Sequence, residues 1–207
     1  GRPSVSTISQ PPIAGHAVAT LERAGVDVPG ELRDRAERAV SWWWRERRHA
    51  SGLLAVRHPW ETGCDDSGRF DHWGAADVRR WFDVKGELVA SGGAGFDCAP
   101  AGLAALVAWD ARELGLDPPD GLLDALASRW DDELGTWVDA GDAESTSGRT
   151  RTLDGLLPLL VLDRPPTLDL TPYLAGFGPR GMHPDEPSYE PGRYWRGGVW
   201  PQLAYLL

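Results

Sequence analysis

Asparagine is absent from the 207 residues, lysine occurs only as Lys85, methionine only as Met182, and isoleucine only as Ile8 and Ile13. Without Asn the chain holds no acceptor for an N-linked glycan. A basic complement that is nearly all Arg fits the codon bias of a GC-rich genome better than a selection for guanidinium chemistry. Positive charge is itself scarce: 21 Lys and Arg stand against 31 Asp and Glu, a formal balance of −10. Sequence-independent nucleic-acid binding needs a basic face, so no nucleic-acid partner is expected. No stretch approaches the ~20 consecutive apolar residues of a membrane span, so no membrane partner is expected either. The two cysteines, Cys64 and Cys98, are too few for a disulfide framework and lack zinc-site spacing. They read as reduced thiols of a cytoplasmic protein, with no metal. Ser91-Gly92-Gly93-Ala94-Gly95 lacks the GxGxxG spacing of a dinucleotide site, and no cofactor is expected.

What is present is a 42% hydrophobic chain with 25 Gly, 17 Pro and 11 Trp, enough for a packed core. Large aromatics dominate core burial, so most of the Trp are expected inside. A Trp excess in an acidic protein also suits carbohydrate, whose apolar ring faces stack on indoles while carboxylates and amides take the hydroxyls. The chain begins at Gly1 and stops at Leu207 within an apolar, helix-like pattern. It is therefore expected to be a segment of a longer protein, with any leader sequence out of view.

Periodicity is helical nearly throughout. Ile13, Ala17, Leu21 and Ala24 recur at helical spacing until Gly25, and a second helix from Pro29 is expected to bury Leu32, Ala36, Ala39, Val40 and Trp43. Residues 51–71 break the pattern, but their aromatics predict an ordered loop. Trp81-Phe82 suggests the close of a short helix. Leu103, Leu106, Val107 and Leu114 predict another helix, ended by Gly115. Asp117-Pro118-Pro119-Asp120 then predicts the start of one carrying Leu123, Leu126, Trp130 and Leu134. A further helix is expected over Leu153 to Leu162, and a short one near Tyr173 to Phe177. Helical hairpins joined by alternating short and long connections make an α-solenoid or a closed α/α toroid, and no fixed-period motif favours the solenoid. In a toroid the long loops gather at one end and can line a pocket.

Three segments are candidates to carry chemistry. His58 to Asp71 places four carboxylates, one Arg and two aromatics in fourteen residues. Glycoside hydrolysis needs two carboxyl groups flanking the scissile bond, one protonated, and neighbouring acids help to keep a proton on one of them. A plain acidic turn or a calcium loop is the alternative. Tyr194 to Pro201 sets two Trp around a flexible Gly pair and Arg196, either as pocket walls or as a buried aromatic corner. Ser9-Gln10-Pro11-Pro12 precedes the first helix, where a capping loop is the plain alternative.

Together these segments resemble one group. Pro59-Trp60-Glu61-Thr62-Gly63-Cys64-Asp65-Asp66-Ser67 is similar to its PWESGxDNSP motif, Tyr194 to Pro201 to YWRGPVWP, and Ser9 to Pro12 to a TQPP segment. Weaker similarity runs through Phe96 to Gly115 and Arg149 to Leu160. The group is the (α/α)6-barrel glycoside hydrolases of family 63, with the related mannosylglycerate and glucosylglycerate hydrolases.

The resemblance implies an all-α fold, a partial (α/α)6 toroid in one domain over 1–207, with hairpins missing at both ends. It implies an inverting α-glycosidase acting on an α-glucoside or α-mannoside, with Asp65 as general acid. Gln10, Trp60, Glu61, Gly63, Trp195, Arg196 and Trp200 fall on substrate-site positions, where Gln10, Glu61 and Arg196 bind hydroxyls or hold the loops. The group's general base, a Glu well downstream of YWRG, matches nothing here, and Glu190 lies on the wrong side of the motif. The chain departs from the group in having Asp66 for Asn, and Gly68 and Gly198 for Pro. It has no Asn in Gln202-Leu203-Ala204, and nothing over Asp71 to Gly95 resembles the glycerate-binding RPTxxxY loop. These departures leave open a carbohydrate-binding or catalytically decayed protein on the same fold.

Overall fold

The computed structural model describes residues 8–73, 97–141 and 149–207. The expected Trp81-Phe82 helix and the Ser91 to Gly95 turn lie outside them. The described chain is mainly helical, with three two-stranded antiparallel sheets of two residues per strand.

Helix α1, Ala14–Arg23, and helix α2, Gly30–Glu46, form the first hairpin. Ile13 cannot cap α1 with its side chain. The carboxylate of Asp110 does so from another helix, accepting Gly15 N–H at 2.9 Å and His16 N–H at 2.7 Å, which satisfies two donors that a helix start leaves open. On α2, Ala36, Val40 and Trp43 are buried, whereas Leu32 and Ala39 are exposed, against expectation. Arg33 reaches the Leu114 carbonyl at 2.5 Å. The first turn of α2 thus meets the end of the helix that closes at Leu114, and Ala39 flanks the 36/40/43 stripe.

Helix α3, Ala101–Glu113, is the centre of the fold. Its first eight residues are all buried, as a helix apolar on every side must be, and it packs on α1, α2 and the segment 154–160. The helix expected through Leu134 is much shorter: α4 spans Leu122–Ala127. Trp130-Asp131 (β2) pairs with Thr136-Trp137 (β3) in a hairpin. The Asp131 carboxylate accepts Glu133 N–H at 3.1 Å and Leu134 N–H at 3.0 Å, and such local side-chain bonding favours a turn over a helix. The Trp130 and Trp137 rings meet edge to face at 4.7 Å, adding a cross-strand contact.

Cys98-Ala99 (β1) pairs with Ala140-Gly141 (β4), joining the residues before α3 to those after the Trp hairpin. The segment expected as a helix over Leu153 to Leu162 is a 3-10 helix, Asp154–Leu160, with Pro158 inside it; Pro removes the donor that an α-helix needs there. The short helix near Tyr173 is likewise a 3-10 turn, Thr171–Tyr173, followed by the hairpin of Leu174-Ala175 (β5) and Gly178-Pro179 (β6). Two short helices, α5 at Tyr194–Gly197 and α6 at Pro201–Leu206, close the described chain. Among the described residues no helix is long and apolar enough to cross a membrane.

Candidate active site

The loop 58–71 begins as a 3-10 turn, Pro59–Thr62, capped by His58, whose Nδ1 accepts Trp60 N–H at 3.1 Å. Gly63 follows at φ 75°, and a Cβ there would stand 3.0 Å from Pro11 Cγ. The left-handed backbone and the close approach of the Pro11-Pro12 segment both call for glycine.

Three polar networks hold this loop. In the first, Glu61 is fully buried and takes a two-point ion pair from Arg47, at 2.6 and 3.0 Å. It also accepts Arg57 N–H at 2.5 Å, and Ser9 through its N–H at 3.1 Å and its hydroxyl at 2.7 Å. Burial pushes the Glu61 carboxyl up, but the Arg47, Arg57 and Ser9 hydrogen bonds outweigh it and hold it below the ordinary range. Arg47 lies over the Trp42 ring at 4.9 Å and that of Trp43 at 5.5 Å. The Ser9-Gln10 segment is thereby fastened to the acidic loop.

In the second network, buried Arg69 pairs with Asp154 at 2.7 Å and Asp139 at 3.3 Å, and donates to Thr152 Oγ1 at 2.5 Å. Asp139 also accepts Ala101 N–H at 3.0 Å. This network ties the loop to the start of α3 and to the 3-10 helix.

In the third, Arg196 on α5 takes Asp71 in a two-point pair at 2.5 and 2.7 Å, and Asp66 at 3.2 Å. Arg193 bonds the other Asp66 oxygen at 3.0 Å and Glu190 at 2.9 Å. The two long-separated motifs thus meet through five charged groups.

Asp65 sits between these anchors, half-buried. Among the described residues its carboxylate has no hydrogen bond or ion pair, and burial pushes it up from the ordinary aspartate range. Beside it, Gly63 and Cys64 form part of the wall of a cavity of about 360 Å³, which is also lined by Gln10, Asp154, Trp195 and apolar residues including Leu103 and Leu203.

The expected site residues separate into groups. Gln10, Gly63 and Trp195 line the cavity; Asp65, Trp60, Glu61, Arg196 and Trp200 are not among its lining residues. Glu61 and Arg196 hold loops through their ion pairs. Trp195 and Trp200 stack on each other at 4.3 Å with 16° between their planes, and Trp200 Nε1 donates to the Tyr194 carbonyl at 3.0 Å. Trp60 is half-buried, edge-on to His58 at 5.0 Å. Glu190 is tied to Arg193.

The sequence reading missed Arg47, Asp139, Asp154 and Arg193, and counted Arg69 in the acidic loop without giving it a role. Their only signal is charge in otherwise apolar or motif-flanking positions, and their partners are mostly distant in sequence. Both cysteines are free and buried, and burial pushes their thiols well up, which suits packing rather than nucleophilic attack. Among the described residues no group of three or more His, Cys, Asp or Glu side chains is placed to hold a metal ion.

The chain is similar to known proteins. A family model for the mannosylglycerate hydrolase MGH1-like glycoside hydrolase domain matches residues 1–116 and 119–207. A mannosylglycerate hydrolase of Rubrobacter radiotolerans is 40% identical over 74 residues, 32% of this chain and 16% of that protein. Among solved structures, the GH63 mannosylglycerate hydrolase of Thermus thermophilus in complex with Tris is similar at TM-score 0.74 and 21% identity, over 100% of this chain and 65% of that one. The same enzyme in complex with glucose is similar at TM-score 0.69 and 22% identity, over 98% and 62%. The chain spans under two thirds of the length of these structures.

Proposed function

Because the chain belongs to the mannosylglycerate hydrolase MGH1-like glycoside hydrolase domain family, we propose that it carries the acid half of an inverting α-glycosidase site on part of an (α/α)6 toroid. Asp65 gives its proton to the glycosidic oxygen as the bond to the anomeric carbon breaks. A water on the opposite face attacks that carbon and yields the inverted sugar; the base that takes the water's proton is not assigned to any of the 207 residues.

The observation that carries this reading is the state of Asp65. It is the unpaired carboxylate in a loop whose other acids, Glu61, Asp66 and Asp71, are all engaged by arginine. Its half-buried position raises its proton affinity, as a general acid at neutral pH requires. Gln10, Gly63 and Trp195 line the adjoining cavity, where an indole and an amide suit a sugar ring and its hydroxyls. Trp60 and Trp200 flank the site, while Glu61 and Arg196 keep its loops in place.

The substrate is an α-glucoside or α-mannoside. The mannosylglycerate named for the relatives is the first α-mannoside to test, although the chain has no RPTxxxY-like segment. The full-length protein, assayed on a panel of α-glucosides and α-mannosides, is expected to release free sugar and to lose turnover by about 10²–10⁴-fold as Asp65→Asn. Undiminished turnover in that variant would sink the assignment. Sugar binding without any hydrolysis by the wild type would favour a binding protein instead.

A further inference from the structure

Asp65 and Asp66 are consecutive, yet their carboxylates are treated oppositely. Asp66 takes Arg193 on one oxygen at 3.0 Å and Arg196 on the other at 3.2 Å, while Asp65 takes no charged partner among the described residues. Consecutive Cα atoms are only ~3.8 Å apart. Arg193 is on the surface, with 46% of its side chain exposed, and its guanidinium already lies 3.0 Å from the carboxylate of the residue next to Asp65.

The other charged side chains in the loop's three networks are committed. Asp71 occupies Arg196 from the second side, and Glu190 occupies Arg193. On the inner side Arg69 is held by Asp139 and Asp154, Glu61 is held by Arg47, and the buried Cys64 thiol carries no charge. Among the described residues, Arg193 is the more exposed of the two guanidinium groups that Asp66 holds.

We propose that Asp66 is a positioning residue that holds Arg193 on its own carboxylate and so keeps the Asp65 carboxyl free of an ion pair. The proposal rests on the reading of Asp65 as the acid for its significance, but not for its test. An arginine paired with Asp65 would favour the ionised form and leave no proton to donate.

The experiment is a carbon-13 NMR titration of the aspartate carboxyl groups in the full-length protein, with the Asp65 resonance identified by its loss in Asp65→Asn. In Asp66→Asn the released Arg193 turns to Asp65, whose midpoint falls by about 1–3 pH units. Adding Arg193→Gln to that variant restores the wild-type midpoint. Arg193→Gln alone leaves the midpoint within about 0.3 pH units of wild type, since Asp66 already keeps that charge away.

An unchanged midpoint in Asp66→Asn overturns the proposal, as does failure of the double variant to restore it. So does a marked rise in Arg193→Gln alone, which would mean that Arg193 already acts on Asp65. A merely structural role for Asp66 does not produce a shift that a second charge removal cancels. Because the titration needs no turnover, these outcomes stand apart from the fate of the glycosidase reading.

Discussion

Glu61 shows how a carboxylate of the acidic loop can matter by holding the loop together. Its carboxylate is enclosed by Arg47, Ser9 and the Arg57 N–H. Replacing it with Gln leaves the Arg47 charge buried and uncompensated, which is expected to cost about 3–5 kcal/mol, read as a lower urea midpoint. Its proton linkage has a definite sign. The folded-state carboxyl lies below its ordinary value of 4.5, so its contribution is fully present above about pH 4.5 and is lost as pH falls through the folded value. Urea midpoints taken from about pH 6 down to about pH 3 should therefore fall more steeply for the wild type than for Glu61→Gln. Parallel slopes would mean that the pair does not couple to protonation. The motif makes Glu61 visible as a site residue, but its partner Arg47 lies fourteen positions away in a run of Trp and Arg, and nothing local announces the pair.

Helix α3 is legible in the sequence because it is apolar on nearly every side and bounded by Pro100 and Gly115, and its burial follows directly from that pattern. The helix expected through Leu134 fails because Leu123, Leu126, Trp130 and Leu134 keep helical spacing while Asp131 and Gly135 supply a turn and the two Trp pair across it. Spacing cannot register a cross-strand contact. The 3-10 helix at 154–160 is read as α-helical because its leucines form a helix stripe, whereas Pro158 within it removes an α-helical donor; it packs on α3. That packing has a test. A Cβ on Gly102 would stand 2.1 Å from the Asp154 carbonyl oxygen, so Gly102→Ala must separate α3 from 154–160. A loss of about 1–3 kcal/mol is expected in chemical denaturation. In an uncrowded helix the same change would stabilise by about 1 kcal/mol, so a gain in stability would contradict the contact.

Across the whole chain, the acidic loop gathers Ser9 and Arg47 from the first hairpin, Asp139 and Asp154 from around the Trp hairpin and 3-10 helix, and Arg193 and Arg196 from the start of α5. The three quoted segments are recognisable in the sequence and do converge, because the second and third carry the partners that the acidic loop needs. What the sequence does not reveal is the division of labour among neighbouring acids, since among the described residues arginine reaches Asp66 and not Asp65. The Trp excess divides similarly: Trp42 and Trp43 lie beneath Arg47 and Trp130 and Trp137 pair across a hairpin, while Trp195 meets the cavity. If Asp65 protonates the leaving group, the effect of Asp65→Asn in the full-length protein depends on the leaving group. Loss of the acid is expected to slow hydrolysis of an alkyl α-glycoside by about 10²–10⁴-fold, and that of a dinitrophenyl α-glycoside of the same sugar far less, because dinitrophenolate departs without a proton. Equal losses on both substrates, or no loss on either, would contradict that role of Asp65.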